Sequence, residues 1–144
     1  MNTVTTYTQT QKQDLQFGYT EEERVFNILK LKYPDIKKTG KYCPVDFISE
    51  ETGYVFELKS RNCKKDDYTT TVLPYSKLQY ADNLDPEYQL ILLFSFTDGL
   101  YQVVYNKDLI YEVRKFCRNK RSDYNDKPKD YCFIPVIQLI RYIN

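Results

Sequence analysis

Apolar residues change their spacing several times along the chain, and each change predicts an element. Val25, Phe26, Ile28, Leu29 and Tyr33 recur at helical intervals. Thr20 stands before them as a helix-capping residue, Glu23 occupies the capping-box position, and acids fill the first turn. The pattern predicts a helix that starts at Thr20 and is ended by Pro34. Residues 1–17 are rich in Thr and Gln, lack an apolar period, and read as a flexible N-terminal arm before a single domain over 18–144. Ile36 to Tyr42 is basic and extended. Pro44 opens a strand, VDFIS, and Gly53 turns the chain into a second, YVFELKS. DDYTTT, residues 66–71, reads as a loop. Pro74 starts a helix reaching about Leu84, with Leu78 and Ala81 facing inward. Tyr88–Phe96 and Leu100–Tyr105, joined through Asp98-Gly99, carry the strongest short-range hairpin signal. Leu109–Phe116 reads as a further helix, RNKRSDYNDKPKD as a polar stretch, and YCFIPVIQLIRYI as a tail that docks on the core. The order α, β, β, β, α, β, β, α predicts an α/β domain with a mixed sheet.

Composition narrows the chemistry. A length of 144 residues suits one domain, and fifteen Tyr and eight Phe are enough for a core. A net charge of +1 gives no global attraction to nucleic acid, so any such attraction must be local. The longest apolar run, LILLF, falls far short of the roughly 20 residues of a membrane span, so no membrane partner is expected. The first residues lack the basic start and apolar stretch of a secretory signal. Four cysteines without C-x-x-C spacing read as reduced thiols of an intracellular protein, in the cytoplasm or, for a eukaryotic or viral chain, the host nucleus. The chain contains no His. That excludes Ser-His and Cys-His hydrolases and histidine general bases, and disfavours zinc. Carboxylates, lysines or tyrosines must carry any catalysis.

The hairpin around Ser49–Gly53 then holds the central anomaly. Antiparallel partners there sum to 103, which pairs Phe47 with Phe56, Val45 with Leu58 and Asp46 with Glu57. Side chains alternate along a strand, so Val45, Phe47, Phe56 and Leu58 share one apolar face. Asp46, Ile48, Val55, Glu57 and Lys59 share the other. Two carboxylates directly opposite each other destabilise a sheet, and partial burial makes the repulsion worse. Lys59 supplies one positive charge, and a divalent cation would supply two. Hard oxygen ligands at this separation suit Mg²⁺ or Mn²⁺. Lys59 would then orient or deprotonate a water, and the site would hydrolyse a phosphodiester. A cross-strand salt bridge on a half-exposed sheet would use the same three residues.

The D-x(10)-E-x-K motif, with its acid at the start of one strand and ELK in the next, resembles the PD-(D/E)xK nuclease superfamily, which includes restriction endonucleases and archaeal Holliday-junction resolvases. The resemblance covers roughly residues 18–105. It implies a restriction-endonuclease-like αβββαβ core, a mixed central sheet flanked by helices, and Mg²⁺-dependent cleavage of DNA. It assigns Asp46 and Glu57 to the metal and Lys59 to the nucleophile. It also implies a helix glutamate that helps hold the metal; EERVFNIL matches the resolvase helix with Glu22 in that place, and Glu21 and Glu23 compete. Relatives place a Gln or Lys on the helix after the E-x-K strand, where this chain has Gln79 and Lys77. Small relatives often act as homodimers. The motif Asp follows Val45 where the family has Pro, with Pro44 one place early. A literal Pro34-Asp35 directly follows a helix and reads as its stop.

Lys37, Lys38 and Lys41, then Arg61, Lys64 and Lys65, flank the expected site, and Lys77 follows. Such clusters suit the phosphate backbone of DNA, with RNA still open. Arg114, Lys115, Arg118, Lys120 and Arg121 form a second basic group, and Tyr42, Tyr68 and Tyr75 are candidates for base stacking. The alternative function is a catalytically inactive nuclease-like module that binds nucleic acid or protein. Short Tyr- and Lys-rich chains of this kind suit a virus or mobile element.

Overall fold

The structure, a computed structural model, describes the backbone of residues 9–117 and 127–143, with side chains from residue 20 onward. Helix α1 spans Gln9–Lys32. Strands β1 (Lys37–Lys38), β2 (Phe47–Ser49), β3 (Tyr54–Ser60) and β4 (Thr70–Pro74) follow, and then helix α2 (Tyr75–Asp82). The remaining strands are β5 (Gln89–Phe96), β6 (Gly99–Val104), β7 (Glu112–Phe116), β8 (Lys129–Pro135) and β9 (Ile140–Arg141). The fold is mixed α/β, as expected.

A six-stranded mixed sheet runs β1-β2-β3-β5-β6-β9, and a second, three-stranded sheet runs β4-β8-β7. In the larger sheet β3 and β5 are parallel, matched from Tyr54 with Gln89 to Ser60 with Ser95. A parallel pair requires a crossover. Here the crossover contains both β4 and α2, so an additional strand intervenes before the second helix.

Two cores lie on the two faces of the larger sheet. Val25 and Leu29 of α1 pack with Phe47, Phe56, Ile91 and Leu93. On the other face Leu78 of α2 packs with Val55, Leu90, Leu92 and Phe94, and with Cys132 and Ile134 of the smaller sheet. Residues 90 to 94 thus alternate strictly between the cores, as a strand covered on both sides must. The expected helical flank is correct for α1. The opposite face is covered by α2 together with three strands.

Four local expectations change. The helix begins at Gln9, well before Thr20, because the Gln- and Lys-containing segment ahead of Thr20 propagates it. Residues 9–17 of the expected arm are therefore helical, and 1–8 lie outside the described residues. Glu21–Glu23 sit inside the helix, away from its N-terminal charge. Second, Glu112–Phe116 is a strand, although Leu109, Val113 and Phe116 fit a helical period. It pairs with β8, and Phe116 lies 4.5 Å from Tyr131 and 5.8 Å from Phe133 between ring centres. For so short a run, the available partner decides. Third, Thr70 and Thr71, read as loop, start β4 opposite Pro135 and Ile134. Fourth, Val45 joins the core on the Val55 face, opposite to Phe47.

Gly53 closes the β2–β3 turn at φ +75°. Its carbonyl accepts the Gln89 N–H at 2.8 Å, and a Cβ there would collide with the Glu87 carbonyl oxygen. Gly53→Ala is expected to destabilise the fold by roughly 2 kcal/mol or more, from backbone strain plus the collision, measured by urea unfolding. Unchanged stability would mean that the turn has another conformation.

Candidate active site

The β2–β3 ladder pairs Phe47 with Phe56, Ile48 with Val55 and Ser49 with Tyr54, the expected register. It stops at Phe47. Asp46 instead grips the main chain on either side of Glu57: its N–H donates to the Phe56 carbonyl at 2.8 Å, and its Oδ2 accepts the Leu58 N–H at 2.7 Å. This local break in the ladder also explains why Val45 changes face. Asp46 therefore lies beside Glu57 through a side-chain bond in place of a further ladder pair. Thr39 fixes the segment from its other side, with its N–H to the Asp46 carbonyl at 3.0 Å and its hydroxyl to the Val45 carbonyl.

Glu57 occupies the middle of the parallel β3–β5 pair, opposite Leu92, and is only 3% exposed. Its Oε1 lies 3.5 Å from Lys59 Nζ, and its Oε2 lies 3.5 Å from Lys77 Nζ. Lys77 also donates to the Pro44 carbonyl. Both lysines are about one-quarter exposed. Oε2 is buried without a hydrogen-bond partner. An oxygen in that condition is costly, and a hard cation would satisfy it.

Burial, and then the charge of Asp46, push the Glu57 carboxyl up to about 7, against the pull of Lys59 and Lys77. Burial likewise raises Asp46, opposed by the Leu58 N–H and the two lysines. The pair's oxygens fit Mg²⁺ or Mn²⁺, which bind through few carboxylates and keep several waters. Among the described residues no set of three or more acids, His or Cys side chains gathers for a metal.

The other expected site residues divide clearly. Lys77, on the helix after the E-x-K strand, joins the centre. Gln79 is exposed, and its spacing of two from Lys77 turns it to another side of α2. Among the described residues, no hydrogen bond or ion pair joins Glu22 to Asp46, Glu57 or Lys59. Its competitors are engaged elsewhere. Glu21 accepts the Ser95 hydroxyl at 2.7 Å and Arg24 at 2.8 Å. Ser95 shares the strand face of Ile91 and Leu93, so Glu21 belongs to the α1 side of the sheet. Glu23 pairs with Lys38. Pro34-Asp35 is a brace for the hairpin: Asp35 accepts the Ser49 hydroxyl at 2.7 Å and the Glu51 N–H at 2.9 Å.

Several basic residues also have structural partners. Lys37 pairs with Glu50 at 3.3 Å, and Lys65 with Asp66 at 2.6 Å. Arg61 donates to the Ser60 carbonyl at 3.3 Å and to the Val72 carbonyl, tying β3 to β4. Lys41 and Lys64 are exposed, as are Tyr42 and Tyr68. Tyr75 packs on Tyr111 at 6.3 Å. In the second basic group, Arg114 pairs with Glu112 and Lys115 with Asp130, while Arg118, Lys120 and Arg121 lie outside the described residues. No described helix is long and apolar enough to cross a membrane. No protein-family model matches the chain, and no curated protein matches it.

The raised carboxyl of Glu57 sets a pH dependence. Folding takes up a proton between 4.5 and about 7, so this group's favourable contribution is present at low pH and is lost as pH rises through that window. The loss is at most roughly 3 kcal/mol at 1.36 kcal/mol per pH unit. Urea unfolding from pH 4.5 to 8 is expected to show this decline in metal-free protein and a flatter profile in Glu57→Gln. Parallel profiles for the two proteins would contradict it.

Proposed function

We propose that this chain is a metal-dependent nuclease of the PD-(D/E)xK type that hydrolyses DNA phosphodiester bonds. One observation carries the reading: Asp46, held by the Leu58 N–H, and Lys59, 3.5 Å from Oε1, flank the Glu57 carboxylate, whose Oε2 is buried without a hydrogen bond on the central parallel strand pair. The order α1-β1-β2-β3 followed by α2-β5 accords with the restriction-endonuclease-like core, with β4 as an insertion.

In this reading Asp46 and Glu57 hold Mg²⁺ or Mn²⁺, which when bound acidifies a coordinated water and offsets charge on the phosphate. Asp46 is held in place by the Leu58 N–H, so its carboxylate is preorganised. Lys59 projects from the same strand face as Glu57 and keeps partial access to solvent. Its ammonium orients the attacking water and stabilises the charge that develops on the phosphate oxygens. Lys41 and Lys64 lie free of ion pairs among the described residues and are suited to the nucleic-acid backbone. The free thiols of Cys43, Cys63 and Cys132 suit a reducing compartment.

A second reading, a non-catalytic nuclease-like binding module, draws on the near-complete burial of Glu57 beneath two lysines. The two are separated by incubating the protein with plasmid, linear, branched and single-stranded DNA, and with RNA, in Mg²⁺ or chelator. The nuclease reading expects Mg²⁺-dependent cleavage of DNA that falls by about 100-fold or more in Lys59→Met. Nucleic-acid binding without Mg²⁺-dependent cleavage supports the module. Cleavage unaffected by Lys59→Met contradicts the assigned chemistry.

A further inference from the structure

We infer that Lys77 is a built-in counter-ion that occupies Glu57 in the metal-free protein and must be displaced for a divalent cation to bind. This inference rests on the metal-dependent reading and adds a control on the same site. Asp46 and Glu57 bring two negative charges to one buried place, and Lys59 and Lys77 bring two positive ones. With both carboxyls ionised, the centre is neutral. A divalent ion added to all four groups leaves two uncompensated positive charges in a poorly hydrated site.

The two lysines differ in what holds them. Lys59 lies on β3, two residues from Glu57 on the same strand face, and pairs with Oε1. Lys77 arrives from α2, at the far end of a crossover, and reaches Glu57 Oε2 with its ammonium group alone. That oxygen has no hydrogen bond from it or from any other described group. The separation of 3.5 Å makes the contact an ion pair without a directional bond. Lys77 has a second acceptor, the Pro44 carbonyl, two residues before Asp46. A lysine is a compact charge on a flexible four-carbon stem, so it can give up Glu57 while α2 stays anchored by Leu78. The oxygen it leaves is the one that lacks any other partner. Through Pro44, Lys77 remains attached to the segment that positions Asp46, which couples the two carboxylates during the exchange.

The chain thus holds its acids ready without leaving them bare. The consequence is a metal affinity set below what two carboxylates would otherwise provide, so that occupancy depends on the free divalent concentration. Removing the Lys77 charge should tighten the binding. Titration calorimetry with Mn²⁺ on the full chain compares wild type, Lys77→Met and Glu57→Gln, and Lys77→Gln serves as a second neutral variant if Lys77→Met unfolds. The expected result is a Kd about tenfold or more lower in the Lys77 variant than in wild type, and loss of site heat in Glu57→Gln. Equal or weaker Mn²⁺ binding in the Lys77 variant, with Glu57-dependent heat intact in wild type, overturns the counter-ion role and leaves the metal reading standing. Absence of Glu57-dependent heat in both wild type and the Lys77 variant overturns both.

Discussion

Everything around the site follows from placing one ionisable group, Glu57, inside a parallel strand pair. Its neighbours on that face, Val55 and Leu92, belong to a dry core. An apolar residue at this position would satisfy the fold at lower cost, since a buried charge is stabilised only by excellent partners. The chain supplies those partners from three separate segments. Asp46 comes from the break before β2, Lys59 from β3 itself, and Lys77 from α2. A residue that the core has no use for, surrounded by groups brought in to tolerate it, is the feature on which the proposed metal-dependent reading rests.

The scaffold keeps this centre apart from its other polar clusters. On the α1 side, Glu21, Arg24 and Ser95 satisfy one another. At the turn, Asp35 braces Ser49 and Glu51, and hydrogen bonding holds its carboxyl below the usual range. Arg61 links the two sheets. These contacts are complete within the protein. Glu57 Oε2 and the Tyr142 hydroxyl are the described buried side-chain atoms without a hydrogen-bond partner, and the carboxylate oxygen lies 3.5 Å from the Lys77 ammonium.

Much of this was readable from the chain because it depended on local rules. The register of β2 with β3 follows from a short turn and strict alternation, so the convergence of Asp46, Glu57 and Lys59 was legible. The Asp98-Gly99 hairpin and α2 were legible for the same reason. What escaped depends on distant partners. Glu112–Phe116 is a strand because β8 is there to pair with it. The second sheet, built from β4, β8 and β7, has no signature in any one segment. Val45 reverses its face because Asp46 spends its side chain on the Leu58 N–H, a choice that alternation does not foresee. The basic residues show a similar limit: sequence counts Lys37, Lys38 and Lys65 as available charge, while folding assigns each an acid. Among the described residues no hydrogen bond or ion pair joins Glu22, the helix glutamate carried by family likeness, to this centre, and α1 packs on the opposite face of the sheet.

The central claim is that Asp46 and Glu57 form one cradle for a divalent cation. Anomalous diffraction from crystals grown with Mn²⁺ tests it most directly. The account predicts a single strong peak about 2 Å from a carboxylate oxygen of each residue. At saturating Mn²⁺, a map with no peak between the two carboxylates would contradict it.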